Sequence, residues 1–184
     1  MKPELFSLLP LMALAAPAIA QASEKGISAT VDTYVDLDRR ASFLHVVPIP
    51  LERIFLASNG LPAISGTSPV KSWDQVGLSR HVFFSTGDSA REIITHYDEG
   101  RYFAYRVSDF TLSAKYVAKY AIGQWWWTEE NGRTKIVWRY TFVPKNFLVR
   151  PFLALFVRTR WRPYMQAAMQ RVQQDTDQRL TTPR

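Results

Sequence analysis

Few side chains in this sequence could move a proton or hold a metal. His45, His81 and His96 are scattered, with no His-x-x-x-His spacing that would set two imidazoles on one face of a helix. The 184 residues contain no cysteine, which removes disulfides, thiolate metal ligands and cysteine nucleophiles together. No glycine-rich phosphate loop, serine nucleophile motif or paired-carboxylate signature is present. The acid/base candidate is Glu92, beside Arg91. A carboxylate turned into an apolar cavity has its charged form disfavoured and can exchange a proton near neutrality. Turned the other way, the same residue is half of an ordinary cross-strand ion pair on an outer face. Neither a metal nor a cofactor is expected.

The aromatic side chains carry more information. Six Trp, eight Tyr and eleven Phe are enough to wall a cavity or fill a large core. Alternate residues of a strand face opposite sides. Ile136, Trp138, Tyr140 and Phe142 therefore share one face, and Phe103, Tyr105 and Val107 share another; both sets are expected to point inward. In the run Trp125-Trp126-Trp127 three consecutive rings cannot enter one cavity, so Trp126 must point away from its neighbours. It is then covered by its own chain, or it meets a loop, a second copy or a membrane. The expected ligand-binding residues are Phe103, Tyr105, Trp125, Trp138, Tyr140, Phe152 and Phe156. Rings with one polar atom suit a mostly apolar ligand with one or two oxygen groups, lipid-, sterol- or polyketide-like. The competing reading is a filled core with no ligand space.

These residues need elements to position them. Residues 27–37 read as a strand rich in Val, Thr and Tyr. Asp38 can cap a short helix to His45, and a second short helix, 51–57, follows Pro48 and Pro50. Six strands are expected at 63–73, 79–85, 89–97, 102–109, 116–128 and 134–143, separated by polar turns that supply Gly or Asn where positive φ is needed. After Pro144 and Asn146 a long helix begins, with Pro151 tolerable in its first turn and Pro163 placed to kink it. Phe152, Phe156, Trp161, Met165, Ala168 and Val172 form its apolar stripe. The fold class is α+β: a curved antiparallel sheet of about seven strands, two short helices, and a long C-terminal helix across the concave side. Such a sheet cannot close as tightly as a flat two-layer packing, and an apolar cavity follows.

The chain resembles the SRPBCC superfamily, the helix-grip fold of START-type lipid-transfer domains, pollen-allergen-like proteins and polyketide cyclase/dehydrase-like proteins, over about residues 27–175. The resemblance rests on Val47-Pro48-Ile49-Pro50-Leu51-Glu52-Arg53-Ile54-Phe55, on Trp73-Asp74-Gln75 leading into Gly77-Leu78-Ser79-Arg80, on Arg91-Glu92-Ile93, and on Phe103-Ala104-Tyr105-Arg106-Val107. Gly123-Gln124-Trp125, the stretch from Gly132 to Trp138 and the basic-aromatic final helix follow in order. It implies a shared cavity rather than a shared reaction.

At the N-terminus Lys2 leads into an apolar stretch, residues 5–20, shorter than a spanning helix and interrupted by Pro10 and Pro17. Ala18-Ile19-Ala20 and Ala20-Gln21-Ala22 both fit small-x-small cleavage. Residues 1–22 are expected to be a signal peptide and 23–184 the ligand-binding domain, exported to the periplasm or secreted. A retained amphipathic anchor is the alternative. From Lys145 onward eight basic residues face two acidic ones, which accounts for six of the net seven positive charges. That stripe is either a solvated helix face or a docking surface for an anionic membrane. No nucleic-acid partner is expected, and the oligomeric state stays open. The favoured function is non-catalytic: an exported binding or carrier protein for a small hydrophobic molecule. A polyketide cyclase/dehydratase-like enzyme using proton transfer is the alternative, and a peripheral membrane protein docking by its basic final helix the second.

Overall fold

The computed structural model describes residues 26–181; the expected signal peptide lies outside the described residues. Among the described residues, seven antiparallel strands form one sheet in the order β1-β7-β6-β5-β4-β3-β2. The strands are β1 (Ile27–Val35), β2 (Ile64–Thr67), β3 (Ser79–Phe84), β4 (Ser89–Asp98), β5 (Tyr102–Ser108), β6 (Ala118–Glu130) and β7 (Arg133–Pro144). Strands β2 to β7 are a meander, and β1 closes the far edge by pairing with β7 along its length, from Ile27 opposite Phe142 to Val35 opposite Thr134. The expected α+β helix-grip arrangement is what forms.

The helices α1 (Arg39–Val46) and α2 (Leu51–Ile54) sit between β1 and β2. Asp38 caps α1 as expected, its carboxylate accepting from the Ala41 N–H at 2.9 Å. The first strand ends at Val35 rather than 37, because the Leu37 carbonyl leaves the ladder to accept from the Thr134 hydroxyl at 2.7 Å. The expected strand 63–73 shrinks to four residues. A register shift at Gly66 disturbs its pairing with β3, and Pro69, which has no N–H to donate, stands just past its end. The freed loop turns Trp73 inward, where it is 6% exposed. Helix α2 stops at Ile54 instead of 57, since the Phe55 carbonyl is drawn off to the Ile64 N–H.

Residues 116 and 117 belong not to β6 but to a third short helix, α3 (Ala114–Val117), made by turn bonds from Lys115 to Leu112 and from Tyr116 to Ser113. At its other end β6 runs to Glu130, because Asn131 and Gly132, with φ of 52° and 75°, make a two-residue hairpin turn.

The long C-terminal helix is α4 (Arg150–Phe156), a five-residue π-helical turn (Val157–Trp161) and α5 (Arg162–Thr181). Pro151 occupies its first turn, as expected. The interruption expected of Pro163 takes the form of the wide turn just before it, where the Arg162 N–H reaches back to the Val157 carbonyl. Met165, Ala168, Met169 and Val172 bury against the concave face of the sheet. Asp175 on α5 pairs with Arg53, and accepts from His45 at 2.8 Å, so α1 and α2 are tied to the long helix.

Candidate ligand cavity

Strand parity places the walls. Ile136, Trp138, Tyr140 and Phe142 are at most 5% exposed and face the concavity, as do Phe103, Tyr105 and Val107. Trp125 and Trp127 point in beside them. Trp126 points out and is half-covered by its own chain: the Tyr102 ring lies 5.4 Å away and the Arg139 guanidinium 5.6 Å. Between the sheet and the helices is a cavity of about 430 Å³. Phe103, Tyr105, Trp125, Trp138, Tyr140, Phe152 and Phe156 all border it. The concave side is therefore walled by rings without being filled by them. Phe152 departs from expectation in one respect: it is 71% exposed, at the rim rather than on the buried stripe.

The rings hold one another in place. Trp125 stacks on Trp138 at 4.7 Å, Trp138 meets Phe55 and Tyr140 edge-on, and Tyr140 lies 4.7 Å from Trp161. Gly123 sits between Tyr105 and Tyr140 in the sheet register, and a Cβ there would enter the Tyr105 ring. The missing side chain is what lets that ring cross β6. Tyr164, from α5, donates to the Pro62 carbonyl at 2.7 Å and so ties the long helix to the loop before β2.

One charged pair interrupts the apolar wall. Glu92 does not form an outer-face ion pair. It faces the cavity and accepts from Arg80, directly opposite on β3, at 2.9 Å, with both side chains 9% exposed. Its sequence neighbour Arg91 is exposed on the other face. The Arg80 guanidinium lies 4.1 Å over the Trp73 ring, so the loop freed from β2 supplies a cation–π platform for it. Among the described residues, the remaining guanidinium N–H groups and the second Glu92 oxygen make no further protein hydrogen bond.

The two cavity tyrosines are held neutral. Burial pushes Tyr105 above the ordinary phenol range, and the Glu92 charge adds to it, against the Trp125 indole and the Arg80 guanidinium, which favour the ionised form. Burial, then Tyr105 and Glu92, push Tyr140 up as well. The indole N–H groups of Trp127, Trp138 and Trp161 are buried without a protein acceptor that meets hydrogen-bond geometry. The site thus offers donors from tyrosine, indole and guanidinium, and one carboxylate acceptor, inside an otherwise apolar space.

Sequence reasoning missed Arg80, Trp73, Phe55 and Tyr164. Arg80 was legible: it shares parity with Val82 on β3, as Glu92 does with Ala90 and Ile94 on β4. Trp73 lies in a loop and has no periodicity to reveal it. The histidines take no part. His45 lies between Asp175 and Arg179, and His81 and His96 are exposed beside Phe83 and Tyr102. Among the described residues no cluster of His, Asp or Glu is arranged to hold a metal.

A family profile described as polyketide cyclase / dehydrase and lipid transport matches residues 57–176. No curated protein matches the chain. Among solved structures it is similar to the protein XoxI from Bacillus cereus, at 13% identity and a TM-score of 0.59, covering 85% of this chain and 99% of that one. It is similar to Ara h 8.0201, at 17% identity and a TM-score of 0.56, over 80% of this chain and 97% of that one. It is also similar to the major latex-like protein 151 from Panax ginseng, at 14% identity and a TM-score of 0.58, over 82% and 97% respectively. At such identities the likeness concerns the fold.

Proposed function

The chain belongs to the polyketide cyclase/dehydrase and lipid transport family within the SRPBCC superfamily, and from that premise we propose that it is an exported carrier of one small, mostly apolar molecule. The observation that carries this reading is the 430 Å³ cavity, walled by aromatic and aliphatic side chains and broken by the Arg80–Glu92 pair. Rings grip the apolar body. The guanidinium and carboxylate receive one oxygenated group, which both accepts and donates, as a carboxylic acid or a hydroxyl does. A lipid-, sterol- or polyketide-like molecule meets that description. Export is supported by Lys2, the apolar residues 5–20 and the two small-x-small sites.

Native mass spectrometry of the protein purified from the exported fraction tests both parts. The expected result is a chain beginning after Ala20 or Ala22 with a defined apolar adduct, released on denaturing extraction. An unprocessed chain overturns export. A processed chain that arrives empty and does not bind the neutral apolar probe N-phenyl-1-naphthylamine overturns the carrier role.

The inward turn of Glu92 favours a second reading, in which the same cavity performs proton-transfer chemistry of the cyclase or dehydratase kind. Glu92 would take the proton, with neutral Tyr105 and Tyr140 as hydrogen-bond donors to a developing oxyanion. Once the adduct is known, Glu92→Gln should abolish its turnover under this reading. Unchanged turnover would remove Glu92 from the mechanism.

A further inference from the structure

Beside the cavity, α4 and the turn before it are apolar on the outside as well as the inside. Leu153 and Val157 are buried, yet Phe147 is 76% exposed, Leu148 65%, Phe152 71% and Leu155 52%. A helix that is hydrophobic all round is normally buried on every side. Tyr116, on α3, is 69% exposed at the same end of the molecule. The two segments are adjacent: Ala118 pairs with Pro144, and the Lys145 N–H donates to the Val117 carbonyl at 3.0 Å. The Asn146 side chain accepts from the N–H groups of Leu148 and Val149, fixing the turn that presents Phe147 and Leu148.

Charge and position identify what covers this face. Lys115, Lys145 and Arg158 flank these segments in the chain, all exposed. Stretches 110–128 and 131–174 contain no acidic residue. Bases farther along the long helix are engaged elsewhere: Arg160 donates to the Asn59 carbonyl, Arg171 to the Ile54 carbonyl and Arg179 to His45. The outward Trp126 likewise lies against Tyr102 and Arg139. The apolar face is continuous with the cavity, because Phe152 borders both, and Ala114 and Val117 of α3 line the cavity from the other side.

We propose that the cavity mouth between α3 and α4 docks onto an anionic lipid bilayer, with Phe147, Leu148, Phe152 and Leu155 entering the acyl boundary and the flanking lysines and arginine meeting the headgroups. An apolar ligand then passes between bilayer and cavity without crossing water. Docking does not depend on the carrier reading, because Phe147, Leu148 and Leu155 lie outside the cavity.

Vesicle sedimentation tests it. The protein should bind phosphatidylcholine vesicles containing phosphatidylglycerol, bind pure phosphatidylcholine more weakly, and release as salt screens the charges. The double variant F147S/L148S should bind at least roughly tenfold more weakly, because two large apolar groups no longer leave water. It should keep its affinity for N-phenyl-1-naphthylamine, since neither residue lines the cavity, and that retention also shows that the variant is folded. Lys145→Glu should weaken binding to the anionic vesicles alone. The proposal is overturned if anionic vesicles are not bound at low salt, or if F147S/L148S binds them as the parent does. It is also overturned if the face instead forms a dimer in solution that the double variant dissolves, which would assign it to a second copy of the chain.

Discussion

The energetics of the buried Arg80–Glu92 pair, the group proposed to receive the ligand's oxygen, are asymmetric. Two charges have been taken out of water into an apolar wall, and their attraction must offset that desolvation. Their cost is bearable because Glu92 accepts at 2.9 Å and Trp73 covers the guanidinium face. Removing one partner strands the other. Arg80→Met should therefore lower the unfolding free energy by about 3–5 kcal/mol, measured by denaturant titration, while R80M/E92L should recover most of that loss. If the double variant is as unstable as the single, the pair is not an isolated electrostatic unit and the loss lies in packing. On the carrier reading, ligand affinity should fall in both variants, because both lack the guanidinium proposed to receive the oxygen. Stability and recognition then separate in the double variant.

At the scale of elements, the long helix is held to the sheet by packing and by a few polar clasps, and one of them titrates. Tyr164 on α5 donates to the Pro62 carbonyl, and burial raises its pKa to about 12 from 10.0, with Arg171 pulling the other way. A raised folded value means that the folded state holds the proton more tightly than the unfolded chain. The contribution is complete below pH 10 and is lost as pH rises towards 12. Tyr105 and Tyr140 shift in the same direction and add to the same fall. Denaturant melts between pH 9 and 12 should show stability dropping across that window, and Tyr164→Phe should make the drop shallower. An unchanged slope would mean that this hydroxyl is as accessible in the folded protein as in the unfolded one.

For the whole molecule, the question is why a chain so rich in rings leaves space inside. Trp125, Trp138 and Tyr140 are locked against one another and against the curved sheet, and none can turn to fill the centre without breaking those contacts. Lining the cavity from β4 is Ala90, 1% exposed, where a larger side chain has room only by taking ligand volume. Ala90→Leu should therefore abolish binding of N-phenyl-1-naphthylamine, read by its fluorescence, while unfolding free energy stays level or rises by about 0.5–2 kcal/mol. A large destabilisation instead would show that the wall at Ala90 is already close-packed.

Several features of the fold follow from local periodicity and are legible in the amino-acid order. Alternation assigned inward faces to β5 and β7, Asp38 marked the start of α1, and Asn131-Gly132 marked the last hairpin. These are properties of a residue and its near neighbours, so a linear reading reaches them. Parity also held the inward turn of Glu92 and Arg80, though only the strand register showed that the two face each other. Other features depend on residues far apart in the chain. Pro69 and the displaced ladder at Gly66 ended β2 early and turned Trp73 beneath Arg80, with no periodic signal to announce it. Phe152 carries the spacing of a core residue, but its position at the end of the helix over the cavity mouth leaves it in the open. The cavity itself is a remainder: the space left when a curved sheet and a long helix, each satisfied locally, cannot meet everywhere.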